Sequence, residues 1–180
     1  MSEIYSPDED SFLMSDILKK EIPKLLKKNS DLKFLEIGSG SGVNLKIANE
    51  SGIKKKNIFS CDVNQRAVKL CKSLGFNCIK SDLFENIKGK FDLIIFNPPY
   101  LPENKFDKER DTSGGKKGDE TILEFLKQAK KYLCKKGKIF LLTSSFTPMS
   151  RIRKEMKNYK HKILVRKKLF YEELFVWELM

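Results

Sequence analysis

Apolar positions along this 180-residue chain switch repeatedly between helical and strand spacing, and the alternation predicts an α/β fold. After Ser6-Pro7-Asp8-Glu9, a Ser-x-x-Glu capping-box pattern with proline at the first helical position, apolar residues recur at Phe12, Leu13, Ile17 and Leu18. They predict an N-terminal helix, broken or restarted near Pro23, and residues 1–30 read as a helical lead-in. Residues 33–37 form a short apolar strand that runs into Gly38-Ser39-Gly40-Ser41-Gly42, and residues 43–50 continue as a helix. Strand, glycine-rich turn and helix open a βαβ unit. The alternation continues through strands at 57–61 and 76–79 around a helix at 65–74. A strand at 91–96, a helix at 121–133 and a strand at 138–143 follow. Past Pro148 comes one more helical stretch, then strands at 161–169 and 172–179 joined around Phe170-Tyr171, a link short enough to favour an antiparallel hairpin. The expected architecture is one domain over residues 1–180, with a mostly parallel seven-stranded sheet, helices on both faces and a C-terminal antiparallel hairpin.

Composition removes several function classes. The longest apolar runs fall far short of the roughly 20 residues a membrane span needs. The N-terminus lacks a basic segment followed by an apolar one, so the cytosol is the expected compartment. Cys61, Cys71, Cys78 and Cys134 show no C-x-x-C pairing and His161 is the sole histidine; no zinc spacing, disulfide framework or hydrolytic triad is visible, and no metal is expected. The net charge of +12 is unevenly spread: between Arg151 and Lys168 nine basic residues face Glu155 alone, a local excess of eight positive charges. Such a segment suits a surface facing nucleic acid or a ribonucleoprotein. It equally suits a chain in which lysine is simply abundant, since 31 Lys stand against 5 Arg and specific phosphate or base contacts favour arginine.

The glycines at Gly38, Gly40 and Gly42 alternate, unlike the dinucleotide fingerprint, whose third glycine lies three positions after the second. Glu36 precedes them at the strand end. Asp62 ends the next strand, 24 residues after Gly38, where a carboxylate can accept both hydroxyls of a ribose. Asp82 follows the third strand and can accept from the exocyclic amine of an adenine. Any one of these acids is as readily a helix cap or a solvated loop residue; acids following successive strands make a nucleoside-binding pattern. The most specific element is Asn97-Pro98-Pro99-Tyr100, directly after the strand at 91–96. Pro98 forces Asn97 into an extended conformation, and consecutive prolines stiffen the backbone while removing two N–H donors. Asn97 through its side-chain oxygen and Pro98 through its carbonyl can together accept both hydrogens of a planar NH2 group, and Tyr100 offers a face to pack on it. A proline-rich turn can also merely end a strand, but this one lies at the carboxyl end of the sheet, where doubly wound folds bind ligands.

Together, Glu36 to Gly42, Asp62, Asp82 and Asn97-Pro98-Pro99-Tyr100 resemble the S-adenosylmethionine and target-amine motifs of amino methyltransferases. Tyr5-Ser6-Pro7-Asp8-Glu9-Asp10-Ser11-Phe12-Leu13 is similar to the opening motif of the eukaryotic and archaeal HemK-like branch, the glutamine methyltransferases of class-1 translation release factors. The similarity spans nearly the whole chain, including Gly114-Gly115 and Gly118. The resemblance implies a single Rossmann-like class I methyltransferase domain with S-adenosylmethionine as cofactor. It implies a cofactor pocket lined by Ser11, Glu36, Gly38, Asp62, Asp82 and Leu83, completed by Gly40, Gly42 and Asn97. It further implies that Asn97, Pro98, Pro99 and Tyr100 hold the glutamine amide of a Gly-Gly-Gln motif for methylation. Bacterial relatives carry an extra N-terminal helical domain that this chain is expected to lack, and eukaryotic relatives rely on a small zinc-binding activator. Such a partner is expected here, on an exposed sheet edge at 76–79. The rival reading is a methyltransferase for the exocyclic amine of adenine in RNA or DNA, which presents the same planar NH2 and is favoured by the basic charge. Against it stand the opening motif and the absence of a separate target-recognition region. A non-catalytic RNA-associated protein on the same core would be expected to have lost acidic or glycine positions, and none is lost.

Overall fold

A computed structural model describes residues 7–99 and 118–180. The strands are β1 (Phe34–Ile37), β2 (Ile58–Asp62), β3 (Asn77–Lys80), β4 (Phe91–Phe96), β5 (Leu133–Ser144), β6 (His161–Lys168) and β7 (Glu173–Leu179). The helices are α1 (Glu9–Leu26), α2 (Val43–Glu50), α3 (Gln65–Ser73), α4 (Glu120–Ala129) and α5 (Met149–Met156). All seven strands join one sheet in the order β3-β2-β1-β4-β5-β7-β6. Strands β1 to β5 pair in parallel, and β7 runs antiparallel between β5 and β6. From β1 the chain builds outward through β2 and β3, then returns to place β4 and β5 on β1's other side. The carboxyl ends of β1 and β4 therefore flank the switch point at which open α/β sheets bind ligands.

The central strands are apolar nearly throughout because both faces are covered. Alternate residues feed opposite cores: Phe34, Leu93 and Ile95 pack with α1, α2 and α3, while Leu35, Ile37, Ile94 and Phe96 pack with α4 and α5. No described helix is long and apolar enough to cross a membrane.

Three local expectations are corrected. Helix α1 starts at Glu9, not at Pro7: Asp8 is its cap, with extended backbone and a carboxylate that accepts the Glu9 N–H at 2.8 Å. Ser6 lies outside the described residues. With Asp8, Glu9 and Asp10 at its start, the helix meets its own positive dipole end with three acids. Nor does Pro23 break the helix, which continues to Leu26. Pro23 and Lys19, the residue whose carbonyl loses its usual donor, both lie on the exposed face, where solvent is available to that carbonyl. On the opposite face Met14, Leu18 and Ile22 are completely buried, and their packing outweighs the missing hydrogen bond.

The third correction concerns the helix expected to reach Leu133. Helix α4 ends at Ala129, a 3-10 turn takes Lys130–Tyr132, and β5 begins at Leu133. Leu133 pairs with Phe91, whereas the next registered pair is Leu93 with Lys138, so the intervening residues of β5 bulge. Gly137 permits the bulge, since a Cβ there would lie 2.8 Å from Leu133 Cδ1 and 2.9 Å from the Phe91 carbonyl oxygen. Pairing with β4 overrides the helical period of the segment.

Candidate active site

The glycine turn leaves β1 and enters α2 through left-handed backbone at Gly38, Gly40 and Gly42 (φ +72°, +47° and +75°). It is fastened to β2 by two hydrogen bonds, in which the Gly38 and Ser39 N–H groups donate to the Cys61 carbonyl at 2.9 and 3.0 Å. At Gly42 a Cβ would stand 3.1 Å from Cys71 Sγ on α3, so the turn lies close against that helix. At Gly40 a Cβ would meet nothing within 4 Å, and the turn faces open space there.

Acidic residues surround this space. Asp62, at the end of β2, accepts the Gly40 N–H on Oδ2 and the Asn64 N–H on Oδ1, both at 2.8 Å. Glu36 is fully buried in β1. Its Oε1 accepts from Asn44 Nδ2 at 2.8 Å, and Asn44 Oδ1 in turn accepts from Ser15 Oγ on α1 at 2.9 Å. Its Oε2 is buried without a partner among the described residues. Burial pushes the Glu36 carboxyl well above the usual carboxylate range; the Asn44 hydrogen bond opposes this and the nearby Asp62 charge adds to it. Leu83 is the one described non-glycine residue with positive φ, at +44°. Its carbonyl is gripped by Cys61 Sγ at 3.3 Å and Ser81 Oγ at 3.0 Å, which hold this strained backbone against the end of β2. Asp82 itself is exposed at the rim.

Asn97 stands at the carboxyl end of β4. Its Nδ2 donates to Asp10 Oδ2 at 3.1 Å, bridging 87 positions of sequence, while its Oδ1 is buried with no partner among the described residues. Asp10 is itself buried and accepts the Ser11 N–H on Oδ1 at 2.5 Å. Pro98 is buried and Pro99 partly so. Tyr100, Gly114, Gly115 and Tyr5 lie outside the described residues.

Ser11, Glu36, Gly38, Gly40, Gly42, Asp62, Leu83, Asn97 and Pro98 thus gather around the carboxyl ends of β1, β2 and β4 and the first turn of α1. Sequence reasoning missed three of their supports. Asp10 lies inside the opening motif without a signal of its own, and Ser15 and Asn44 each put a polar side chain on a buried helix face, the one local sign of their role. The basic segment is partly neutralised within the fold. Arg151 forms a two-pronged pair with Asp119, Lys162 lies 3.3 Å from Glu178, and Lys167 pairs with Glu9. Arg153, Lys154, Lys157, Lys160 and Lys168 remain exposed.

Comparison with known proteins gives this geometry its lineage. The family model of the methyltransferase small domain matches residues 13–171. A Methanocaldococcus jannaschii protein, provisionally named a protein N5-glutamine methyltransferase, is 38% identical over 97% of this chain and 90% of its own length. Mouse methyltransferase HEMK2 is 30% identical over 86% of this chain and 78% of its own. Among solved structures, the E. cuniculi Mtq2–Trm112 complex, described as responsible for methylation of the eRF1 translation termination factor, matches with a TM-score of 0.74. That match has 23% identity and covers 97% of this chain and 96% of that one, which shows the class I methyltransferase fold. The chain belongs to the methyltransferase small domain family, in its HemK-like protein glutamine methyltransferase branch, whose members are S-adenosylmethionine-dependent enzymes.

Proposed function

We propose that this chain transfers a methyl group from S-adenosylmethionine to the side-chain amide nitrogen of the glutamine in the Gly-Gly-Gln motif of a class-1 translation release factor. The observation that carries this reading is the half-satisfied amide of Asn97. With Nδ2 committed to Asp10, the buried Oδ1 is an acceptor awaiting a donor, as an incoming NH2 group requires. The Pro98 carbonyl supplies the second acceptor.

The cofactor's sulfonium supplies an activated methyl group. Fit to it is supported by the unpartnered Glu36 Oε2, by the open space over Gly40 and by the Asp62 carboxylate beside that space. Glu36, the glycine turn, Asp62 and Leu83 would hold it, with Ser11 closing the pocket from α1 and Asp82 reaching in from the rim. An amide nitrogen is a poor nucleophile because its lone pair is delocalised into the carbonyl. Two fixed acceptors orient the NH2, draw on its hydrogens and favour lone-pair character on nitrogen as positive charge develops there. Once the nitrogen has taken the methyl group, a proton leaves it for water, and no strong general base is needed. Such a substrate places the reaction in the cytosol, and the exposed Lys154, Lys157 and Lys160 steer the enzyme toward the acidic surroundings of ribosomes and their factors.

The two readings of the acceptor separate in one assay. Labelled methyl transfer is measured with a release factor, the same factor with its motif glutamine replaced, and ribosomal RNA offered side by side. Label should appear on the intact factor and vanish with the glutamine. Label on RNA alone would establish the adenine reading instead.

A small zinc-binding activator is part of the proposal. Strand β3 lies at the sheet edge, paired with β2 alone among the described strands, and its Asn77, Ile79 and Lys80 side chains are exposed. An exposed edge with an apolar side chain invites a further strand. Co-expression with such a partner should raise yield and activity. A chain that is monomeric, soluble and fully active alone would remove the need for one.

A further inference from the structure

Among the described residues, the four most exposed large apolar side chains are all aromatic: Phe170 (90%), Tyr171 (84%), Phe146 (53%) and Phe12 (52%). They come from three segments that meet at one place. Phe170 and Tyr171 form the centre of the turn between β6 and β7, closed by the Leu169 N–H donating to the Glu172 carbonyl at 2.8 Å. Just beyond that turn, Glu173 exchanges two hydrogen bonds with Ser145, its N–H reaching Ser145 Oγ at 3.1 Å and its carbonyl accepting the Ser145 N–H at 2.8 Å. Phe146 is the next residue. At the end of β6, Lys167 pairs with Glu9 of α1, and Phe12 follows Glu9 by three positions, on the same helix face. Asp10, between them, holds Asn97.

Turn chemistry does not account for the two aromatics at the hairpin tip. A two-residue hairpin link favours glycine or asparagine with positive φ, whereas neither Phe170 nor Tyr171 has positive φ. Nor does core packing account for them, because almost all of their surface meets solvent. The two rings pack edge to face with centroids 4.6 Å apart, which restricts their motion before any partner arrives. Exposed aromatics pre-ordered in this way are the kind of residue that anchors protein interfaces.

We infer that Phe146, Phe170 and Tyr171, together with Phe12, form the docking surface for the protein that presents the methyl acceptor. The inference rests on reading the chain as a protein glutamine methyltransferase. The occupant follows from position. The cofactor features occupy the β1 and β2 side of the crevice, whereas the aromatic surface lies at the ends of β5, β6 and β7, beyond Asn97 on the other side. The first turn of α1 ties the two places together, Glu9 reaching the end of β6 and Asp10 reaching Asn97, so a folded protein inserting an amide at Asn97 comes close to the aromatic surface. Lys168, exposed beside the tip, and Arg166, stacked over Phe175, share the hairpin end with the half-buried Glu172 and Glu173, so charges of both signs border the rings and the matching face of the substrate is apolar.

The test is a Phe170→Ser/Tyr171→Ser double variant and a separate Phe146→Ser variant of the full chain, co-expressed with the activator if the enzyme needs it. Steady-state kinetics with an intact release factor and calorimetric titration with S-adenosylmethionine are compared with the wild type. The KM for the release factor should rise by about tenfold or more in the double variant and by less in Phe146→Ser, with turnover at saturation and cofactor affinity within about twofold. Retained cofactor affinity also reports that the variants are folded. An unchanged KM, or a loss confined to turnover, overturns the docking surface while leaving the proposed function standing. A wild-type enzyme that methylates RNA and no release factor overturns both, and loss of RNA binding in the double variant would then reassign these rings to base stacking.

Discussion

Replacement of Asn97 by alanine is expected to lower turnover by about a hundred- to a thousandfold, equivalent to about 2.7–4 kcal/mol of transition-state stabilisation. The loss should fall on methyl transfer far more than on cofactor affinity, because the buried Oδ1 is the group left open to an acceptor. Asp10→Ala supplies the matching test of orientation. In the wild type the Asp10 carboxylate accepts from Nδ2, and a carboxylate cannot donate, so the Asn97 amide has one permitted orientation. Without it the amide can turn over and present its NH2 to the substrate's NH2, donor against donor. Turnover should drop between about ten- and a hundredfold, less than on deleting Asn97 itself. Single-turnover measurements with S-adenosylmethionine binding followed in parallel would check both. Near-normal transfer by Asn97→Ala would end the acceptor-grip mechanism, and wild-type rates in Asp10→Ala would show that Asn97 is held by something else.

Asp62→Ala should weaken S-adenosylmethionine binding by about 1.5–3 kcal/mol, the worth of charge-assisted hydrogen bonds to the ribose hydroxyls. The structure adds a reason for the conservative variant to fail almost as badly. Both carboxylate oxygens already accept backbone N–H groups, from Gly40 and Asn64. Asparagine would turn an NH2 toward one of those donors, loosening either the glycine turn or the start of α3. Asp62→Asn is therefore expected to resemble Asp62→Ala rather than the wild type. Calorimetric titration decides, and an unchanged affinity in a folded Asp62→Ala protein would remove Asp62 from the cofactor site.

Much of the scaffold that carries these residues was legible without coordinates. β4 and α2 fall at the bounds their apolar spacing predicts, and the antiparallel pairing of β6 with β7 followed from the shortness of their link. The glycine turn, Glu36, Asp62 and Asn97 were equally readable, because each sits at a strand end and strand ends are local features. What only the tertiary structure decided involves partners distant in the chain. Leu133 belongs to a strand because Phe91 lies beside it, a fact absent from the helical period around it. Pro23 is tolerated because its helix is buried on one face and wet on the other. The positive segment after Arg151 is partly neutralised by Asp119, Glu178 and Glu9, brought to it from three separate elements. The same holds for the site itself: the amide of Asn97 acquires a direction from Asp10, and the carboxyl of Glu36 acquires its support from Asn44 and Ser15. Periodicity and turn chemistry act over a few residues and write themselves into the order of amino acids. The orientation of a buried polar group depends on which donor or acceptor folding carries to it, and that is set by the packing of α1 over the sheet.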